Sequence, residues 1–420
     1  MSFLGMRGTG DWVSNQRPES WREMVLRLYP NGGAPLTAIL SKMSSEKVTD
    51  PTFHWWEKAL PSQRGTITGI YTDAGLTTPY VSGGAIAAVL YVKMSAADVA
   101  HFRARHVVLL VDAGQRSNKV VAKVTAATAN GASSYITIKL LEADDNGTAR
   151  DLSDAAANSS TALVIGTVNE EGAAAPSALA YDPNEKYNYT QIFRNSLDHT
   201  RTAMRTKLRT GDQVAEAKRE CLELHSMEME RAFIFGIPTV GTGDGGKPER
   251  TTGGLKSFLT TNLFDYTQEA GTATWLAGGE DWLDEKLEAI FKYGSREKLG
   301  LCGSGAIRGI NRLAKNAGTF ELTAKTMAYG IQVVEWVTPF GTLYLKLHPL
   351  FSDLPIYSNS VAICEPKFMK YRFIDDTGYK PQIQANDIDG EKSEYLTEAG
   401  LEFYHEKAHG WLDGVGEDNP

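Results

Sequence analysis

The chain has 420 residues, of which 42% are hydrophobic and 22% charged. That is an ordinary globular mix, so disorder of the whole chain is excluded, and at roughly 150 residues per domain two or three domains are expected. Lys plus Arg number 43 against 51 Asp plus Glu, a net charge of −8, which argues against generic nucleic-acid binding, because phosphate binding works by counterion release to cations. Cys221, Cys302 and Cys364 are odd in number and far apart, with no CxxC. They point to inert thiols in a reducing compartment rather than a disulfide framework or zinc knuckle. No run of 18 apolar residues exists, so no membrane helix is expected, and the first residues lack the basic-then-apolar layout of a secretory signal.

Residues 1–60 read as an arm, with scattered Gly, Pro and Trp. One helix is expected from Pro18 to Tyr29, carrying Trp21, Met24, Val25 and Leu28 at helical spacing and stopped by Pro30. Phe53-His54-Trp55-Trp56 is dense in aromatics. It suits either packing against the chain's own body or a contact with another subunit. Residues 61–180 change to Ala, Thr, Val, Ser and Gly. Val107–Val111 and Ala162–Ile165 are short β-branched runs, and Lys119–Thr125 and Ser134–Leu141 flank the turn-like Asn130-Gly131. This predicts a β-rich module without a catalytic cluster.

The clearest helix is 212–236, about 36 Å long at 1.5 Å per residue. Val214, Ala217, Cys221, Leu224, Glu228, Ala232 and Phe235 follow three/four spacing, and Leu222, Met229 and Phe233 form a second apolar edge. Asp212 suits the N-cap and Gly236 the C′ position. A basic stretch precedes it, Arg194, Arg201, Arg205, Lys207 and Arg209, fit for a solvated or subunit-facing surface or for packaged nucleic acid. Further helices are expected at Glu280–Tyr293 and Ser304–Asn316. A hairpin follows, Ile331–Val337 and Thr342–Leu347 about Thr338-Pro-Phe-Gly. From Val361 onward strands alternate with turns such as Asp375-Asp-Thr-Gly378. The order reads as α+β with no βαβ repeat.

Several motifs invite chemical readings. His405-Glu-Lys-Ala-His409 matches HExxH, which needs two imidazoles one helical turn apart. The alternation of Leu401, Phe403 and His405 with Glu402, Tyr404 and Glu406 predicts a strand instead, which would hold the two histidines about 13 Å apart. Gly241-Thr-Gly-Asp-Gly-Gly246-Lys247 matches a phosphate loop in letters. A helix precedes it, though, and Pro248 stands where Ser or Thr would hold magnesium. Ser44-Ser-Glu-Lys47 satisfies SxxK without its partner boxes. His225 and Glu228 share a helix face while Glu230 does not, and a paired histidine is the simplest reading. Asn146, Asn158 and Asn188 begin glycan-acceptor triplets, which are chance without secretion. No catalytic, cofactor-binding or metal-ligating residue is assigned, and no cofactor is expected.

Asn188-Tyr-Thr-Gln-Ile-Phe193, Met227-Glu-Met-Glu-Arg-Ala232 and Leu401-Glu…Ala408-His409-Gly-Trp-Leu-Asp-Gly414 together resemble the major capsid proteins of tailed bacteriophages with the Hong Kong 97-type fold. The nearest subgroup carries a β-rich insert in the extended loop. Thr52-Phe53-His54-Trp55-Trp56-Glu57-Lys58 resembles the end of that group's N-terminal arm. The resemblance implies an arm over 1–60, an extended loop with β-rich insertion over 61–180, a peripheral domain over 181–260 with spine helix 212–236, an axial domain over 261–355, and return strands of the peripheral domain over 356–420. It implies a non-enzymatic shell subunit of the virion, assembled in the bacterial host cytoplasm. Its partners would be itself in hexamers and pentamers, portal and scaffolding proteins, a decoration protein, and double-stranded DNA by non-specific contact, with no membrane. Competing expectations are an encapsulin-like compartment, a zinc hydrolase using His405, Glu406 and His409, and a β-rich binding or tail-associated module.

Overall fold

A computed structural model describes residues 45–58, 62–112, 119–144, 160–206, 212–269, 271, 273–317, 323–326 and 332–418. The helix expected at Pro18–Tyr29 lies outside the described residues. The chain divides into two compact units, a body of residues 1–57 and 185–420 and an insert of residues 58–184.

The insert is a seven-stranded antiparallel sheet. Its order is Arg64–Thr66, Thr161–Thr167, His106–Val111, Lys119–Thr128, Tyr135–Leu140, Val89–Lys93 and Gly69–Tyr71. The two edge strands are consecutive in sequence. Between them the Ile67 N–H donates to Ser160 O (2.7 Å) and the Thr68 N–H to Lys93 O (2.9 Å), so one edge of the sheet runs directly into the other. A sheet curled in this way has no free edge at that seam. Alternation fills it: Val120, Ala122 and Val124 point inward from one strand, and Ile136, Ile138 and Leu140 from the next. The hairpin about Gly131, which takes φ +51, pairs Lys119–Thr128 with Tyr135–Leu140 as expected.

In the body, a four-stranded sheet is built from Ser45–Lys47, Met369–Lys380, Gly390–Phe403 and Gln191–Thr200. Gln191–Thr200 pairs residue for residue with Gly390–Ala399. Asp375-Asp-Thr-Gly378, expected as a turn, is a double register irregularity within the strand Met369–Lys380. The long helix, Gln213–Phe235, lies on this sheet. Asp212 caps it, accepting from the Val214 and Ala215 amides (2.9 and 3.5 Å). The predicted apolar rows hold at Cys221, Met229 and Phe233 and fail at Leu222 and Leu224. Cys221, His225, Met229, Phe233 and Ile234 are buried, whereas Leu222 and Leu224 face solvent. A histidine inside the contact stripe and leucines outside it mislead a count of apolar letters. Gly236 ends the helix at φ −58, not in the left-handed region. Glycine is needed there because a Cβ would sit 2.3 Å from Thr252 O and 2.4 Å from Ala232 O.

The other half of the body is a mixed seven-stranded sheet. Its order is Leu263–Asp265, Gly410–Asp413, Val361–Cys364, Glu297–Cys302, Thr342–Leu347, Gln332–Val337 and Thr323–Thr326. The helices Trp275–Phe291 and Ser304–Ala317 pack on it through Trp282, Leu287, Ile290, Ile310 and Leu313. The first starts five residues ahead of expectation, and the predicted hairpin is present. Glu297–Cys302 pairs in parallel with Thr342–Leu347 after a crossover containing Ser304–Ala317. This is a single crossover and not a repeat, and the intervening hairpin hides its return strand from the sequence.

Candidate functional site

The residues with chemical potential are engaged inside the body. The strand expected to carry both histidines ends at Phe403. His405 takes a left-handed turn (φ +52), and Glu406–Ala408 form a short 3-10 segment. His409 is fully buried. Its Nδ1 accepts from the Glu365 amide (3.2 Å), which leaves Nε2–H to donate to Tyr404 O (3.1 Å). Burial, with the nearby Lys298 and His405, holds this imidazole well below the ordinary histidine range. A neutral ring with both nitrogens occupied offers no lone pair to a metal. The Glu406 carboxylate accepts from the Thr260 amide and hydroxyl (3.0 and 2.6 Å), so it braces a loop.

The glycine loop is the tip of a hairpin between Thr239–Thr242 and Pro248–Thr251. Gly243 N–H donates to Lys247 O (2.9 Å) and Gly246 N–H to Gly243 O (2.8 Å). These amides close their own turn instead of converging on an anion. Lys47 of the SxxK match lies in the exposed strand Ser45–Lys47, paired in parallel with Tyr371–Phe373; Ser44 lies outside the described residues.

His225 is the centre of a hydrogen-bonded line. Asn195 donates to Glu228 (3.0 Å), so its Oδ1 accepts from His225 Nδ1–H (2.7 Å). His225 Nε2 then accepts from Thr397 (2.7 Å), whose hydroxyl meets Thr377 (2.9 Å). Burial keeps this ring below the ordinary histidine range, against the pull of Glu228. The line ties the long helix to three strands, with the buried His225 at its centre and Glu228 and Thr377 at its exposed ends.

Asn188, the first residue of the segment 188–193, is wholly buried. Its Nδ2 reaches Leu401 O (2.6 Å), Gly253 O (3.0 Å) and Thr252 Oγ1 (3.2 Å), and its Oδ1 accepts from the amides of Gly253 (2.7 Å) and Tyr189 (2.8 Å). Gln191 Oε1 adds a bond from the Thr252 amide (3.1 Å). The motif thus pins the loop after the hairpin to the last long strand, and Asn188 is closed to glycan attachment. The basic stretch stays at the surface where it is described, with two of its arginines paired to carboxylates of the same chain. Arg194 pairs with Glu394 (2.6 Å) and Arg201 with Asp389 (2.7 Å). Lys207 and Arg209 lie outside the described residues.

The aromatic segment splits by strand parity. Thr52–Glu57 and Asn184–Tyr189 form a two-stranded sheet. Phe53 and Trp55 are buried, Trp55 against Phe258 and Tyr404. Trp56 is 63% exposed and Tyr187 50%, and His54 pairs with Glu185 (2.8 Å). One face of the strand thus packs on the chain's own body, and the other is exposed.

Sequence reasoning missed a buried ion pair and a buried histidine–carboxylate hydrogen bond. Lys298 Nζ, with no exposed side-chain surface, lies 3.6 Å from Glu365 and donates to Ala408 O (2.7 Å) and Tyr293 O (3.0 Å). Burial lowers its ammonium pKa, with Glu365 opposing. Glu230 of the long helix meets His348 Nε2 at 2.8 Å, both fully buried. The only advance signal was a lone lysine opening the apolar run Leu299–Cys302. The free cysteines are all buried; burial pushes Cys364 up to about 12, as an inert thiol requires.

The sequence profile of the SU10 major capsid protein family matches residues 6–416. The major capsid protein of Pseudomonas phage PaMx41 is 25% identical over 369 residues, covering 86% of this chain and 80% of that protein. A solved structure of Mycobacterium phage Adephagia aligns over 95% of this chain and 92% of its own, at 10% identity and a TM-score of 0.43. The SrpI encapsulin of Synechococcus elongatus PCC 7942 aligns over 56% of this chain and 78% of its own, at 15% identity and a TM-score of 0.40. The near full-length profile match defines a viral shell protein. The chain belongs to the SU10 major capsid protein family. It is a major capsid protein of a tailed phage, a component of the virion capsid that associates with copies of itself. Family membership decides for the virion against the encapsulin compartment.

Proposed function

We propose that this chain builds the hexamers and pentamers of an icosahedral shell around a double-stranded DNA genome, with the Hong Kong 97-type division of labour. Residues 1–60 serve as the arm, 61–180 as the extended loop with its β-rich insertion, and 181–260 as the peripheral domain with its spine helix. Residues 261–355 form the axial domain and 356–420 the returning strands. The observation that carries this reading is the family match over residues 6–416. A separate unit at 58–184, inserted into a body with a long helix on a four-stranded sheet, supports the division. The outward Trp56 and Tyr187 support a subunit contact at the end of the arm, since exposed aromatics concentrate binding energy.

The chain acts as a structural element and not as an enzyme; the internal engagement of His225, Glu406 and His409 supports this. Its further partners are portal and scaffolding proteins and a decoration protein, and assembly takes place in the host cytoplasm. DNA contact is non-specific and weak, as expected from a net charge of −8 with the exposed Arg194 and Arg201 each paired to a carboxylate of the same chain. Cryo-electron microscopy of particles made by the full chain tests the division. Density for residues 261–355 around five- and six-fold axes is the expected result. Those residues lying away from every axis would overturn it.

A further inference from the structure

The seven-stranded half of the body carries two helices whose solvent faces bear opposite charge. Trp275–Phe291 buries Trp282, Leu283, Leu287 and Ile290 and exposes Glu280, Asp281, Asp284, Glu285 and Glu288. Its single cation, Lys286, is committed to Glu269 and Glu285 (2.9 Å each). Glu280, Asp281, Asp284 and Glu288 have no ion-pair partner among the described residues. Burial and, to a lesser extent, the neighbouring Asp281 push the Asp284 carboxyl up.

Ser304–Ala317 is the reverse case. It buries Ala306, Ile310, Leu313 and Ala314 and contains no acidic residue. Arg308, Arg312 and Lys315, four and three residues apart, form one outward stripe. None has an ion-pair partner among the described residues. The two helices pack together, and the cleft between them is lined by Leu283, Ile310, Leu313, Ala314 and Trp336 together with Glu280 and Asp284 of the acidic row. Even so, no carboxylate of the first helix reaches a cation of the second within one chain. Like charges in rows at this spacing cost stability in an isolated helix, and among the described residues only Lys286 offsets either row.

We infer that the acidic face of Trp275–Phe291 docks against the basic face of Ser304–Ala317 in a second copy of this chain. The argument is charge complementarity between two faces whose Glu280, Asp281, Asp284 and Glu288 on one side, and Arg308, Arg312 and Lys315 on the other, have no ion-pair partner among the described residues. The contact joins two different patches, so it is heterologous, and repeated about an axis it closes a ring. It rests on the shell reading and gives the chemistry of the contact within a capsomer. A nucleic acid on the basic stripe would leave the acidic row unexplained and repelled.

The test uses full-length protein in four forms: wild type, Arg308→Glu/Arg312→Glu, Asp281→Lys/Asp284→Lys, and all four changes combined. Sedimentation and negative-stain microscopy across salt give the concentration at which rings or shells appear; circular dichroism checks folding. The wild-type threshold should rise about tenfold between low salt and about 0.5 M salt, as screening removes charge attraction. Each double reversal should raise the low-salt threshold by about tenfold or more. The combined variant should return close to wild type. Should a reversal unfold the chain, the milder Arg308→Gln/Arg312→Gln must still raise the threshold. Double reversals that assemble like wild type, or a combined variant no better than either, overturn the inference while leaving the shell reading intact. Loss of DNA binding without loss of assembly also overturns it. Wild type that stays monomeric at every salt overturns the shell reading itself.

Discussion

Residues 58–184 fold from antiparallel strands about a core of Val, Ile, Leu and Ala, closed by Met94 and Phe102. The body, in contrast, brings Leu263–Asp265 against Trp411–Asp413 and Gln191 against Ala399, and it buries Glu230, Lys298, His348, Glu365, Glu402 and His409 in doing so. The insert is cheap to specify, since alternation alone sorts its faces. The body depends on buried polar groups that satisfy one another across remote elements, as Glu230 does with His348 and Lys298 with Ala408. Buried polar pairs add little net stability compared with apolar packing, but they penalise wrong pairings heavily. A shell protein whose body must adopt one geometry in many copies gains from that penalty.

The largest expected effect breaks the body and spares the insert. Lys298→Met leaves Glu365 buried without its cation and should cost about 3–5 kcal/mol. Calorimetry should show one transition shifted down and another unmoved; Lys298→Met/Glu365→Gln should recover part of the loss. Asn188→Ala should come next, at about 3 kcal/mol, because two backbone carbonyls and the Gly253 amide lose their partner. Its effect should again fall on the body transition.

The pH dependence sharpens the same contrast. His225 and His409 both have folded values below the unfolded one of about 6.5. The unfolded chain therefore binds more protons below that pH, and stability falls as pH drops from about 6.5 toward the folded values. The slope should approach about 1.4 kcal/mol per pH unit for each histidine. The insert has one such group, His106, lowered by burial and by Arg103, so its transition should respond less. Midpoints measured between pH 7.5 and 5 check this. The smallest effect lies in the insert: Ile138→Val should cost about 1 kcal/mol, moving only the insert transition.

The sequence was legible where signals are local. Asp212 as a cap, the strands around Gly131 and the turn at Thr338–Gly341 follow from neighbouring residues alone. It was illegible where the deciding contact is remote. Leu222 and Leu224 counted as core because nothing nearby in sequence reveals that the sheet meets the helix through His225 and Met229. Gly236 suggested a left-handed cap, whereas the reason for glycine is a carbonyl sixteen residues on, at Thr252. The HExxH spacing could be doubted from strand parity, but the physical reason, an imidazole bonded at both nitrogens, needed the fold. The segment 188–193 stood out by resemblance, and the cradle that Asn188 builds for Gly253 and Leu401 gives it a physical cause.

Negative-stain electron microscopy of the purified full-length protein tests the central claim most directly. The account predicts closed shells, or rings of five and six subunits, whose onset depends on salt. Uniform monomers at every concentration and salt, with both calorimetric transitions intact, would contradict it.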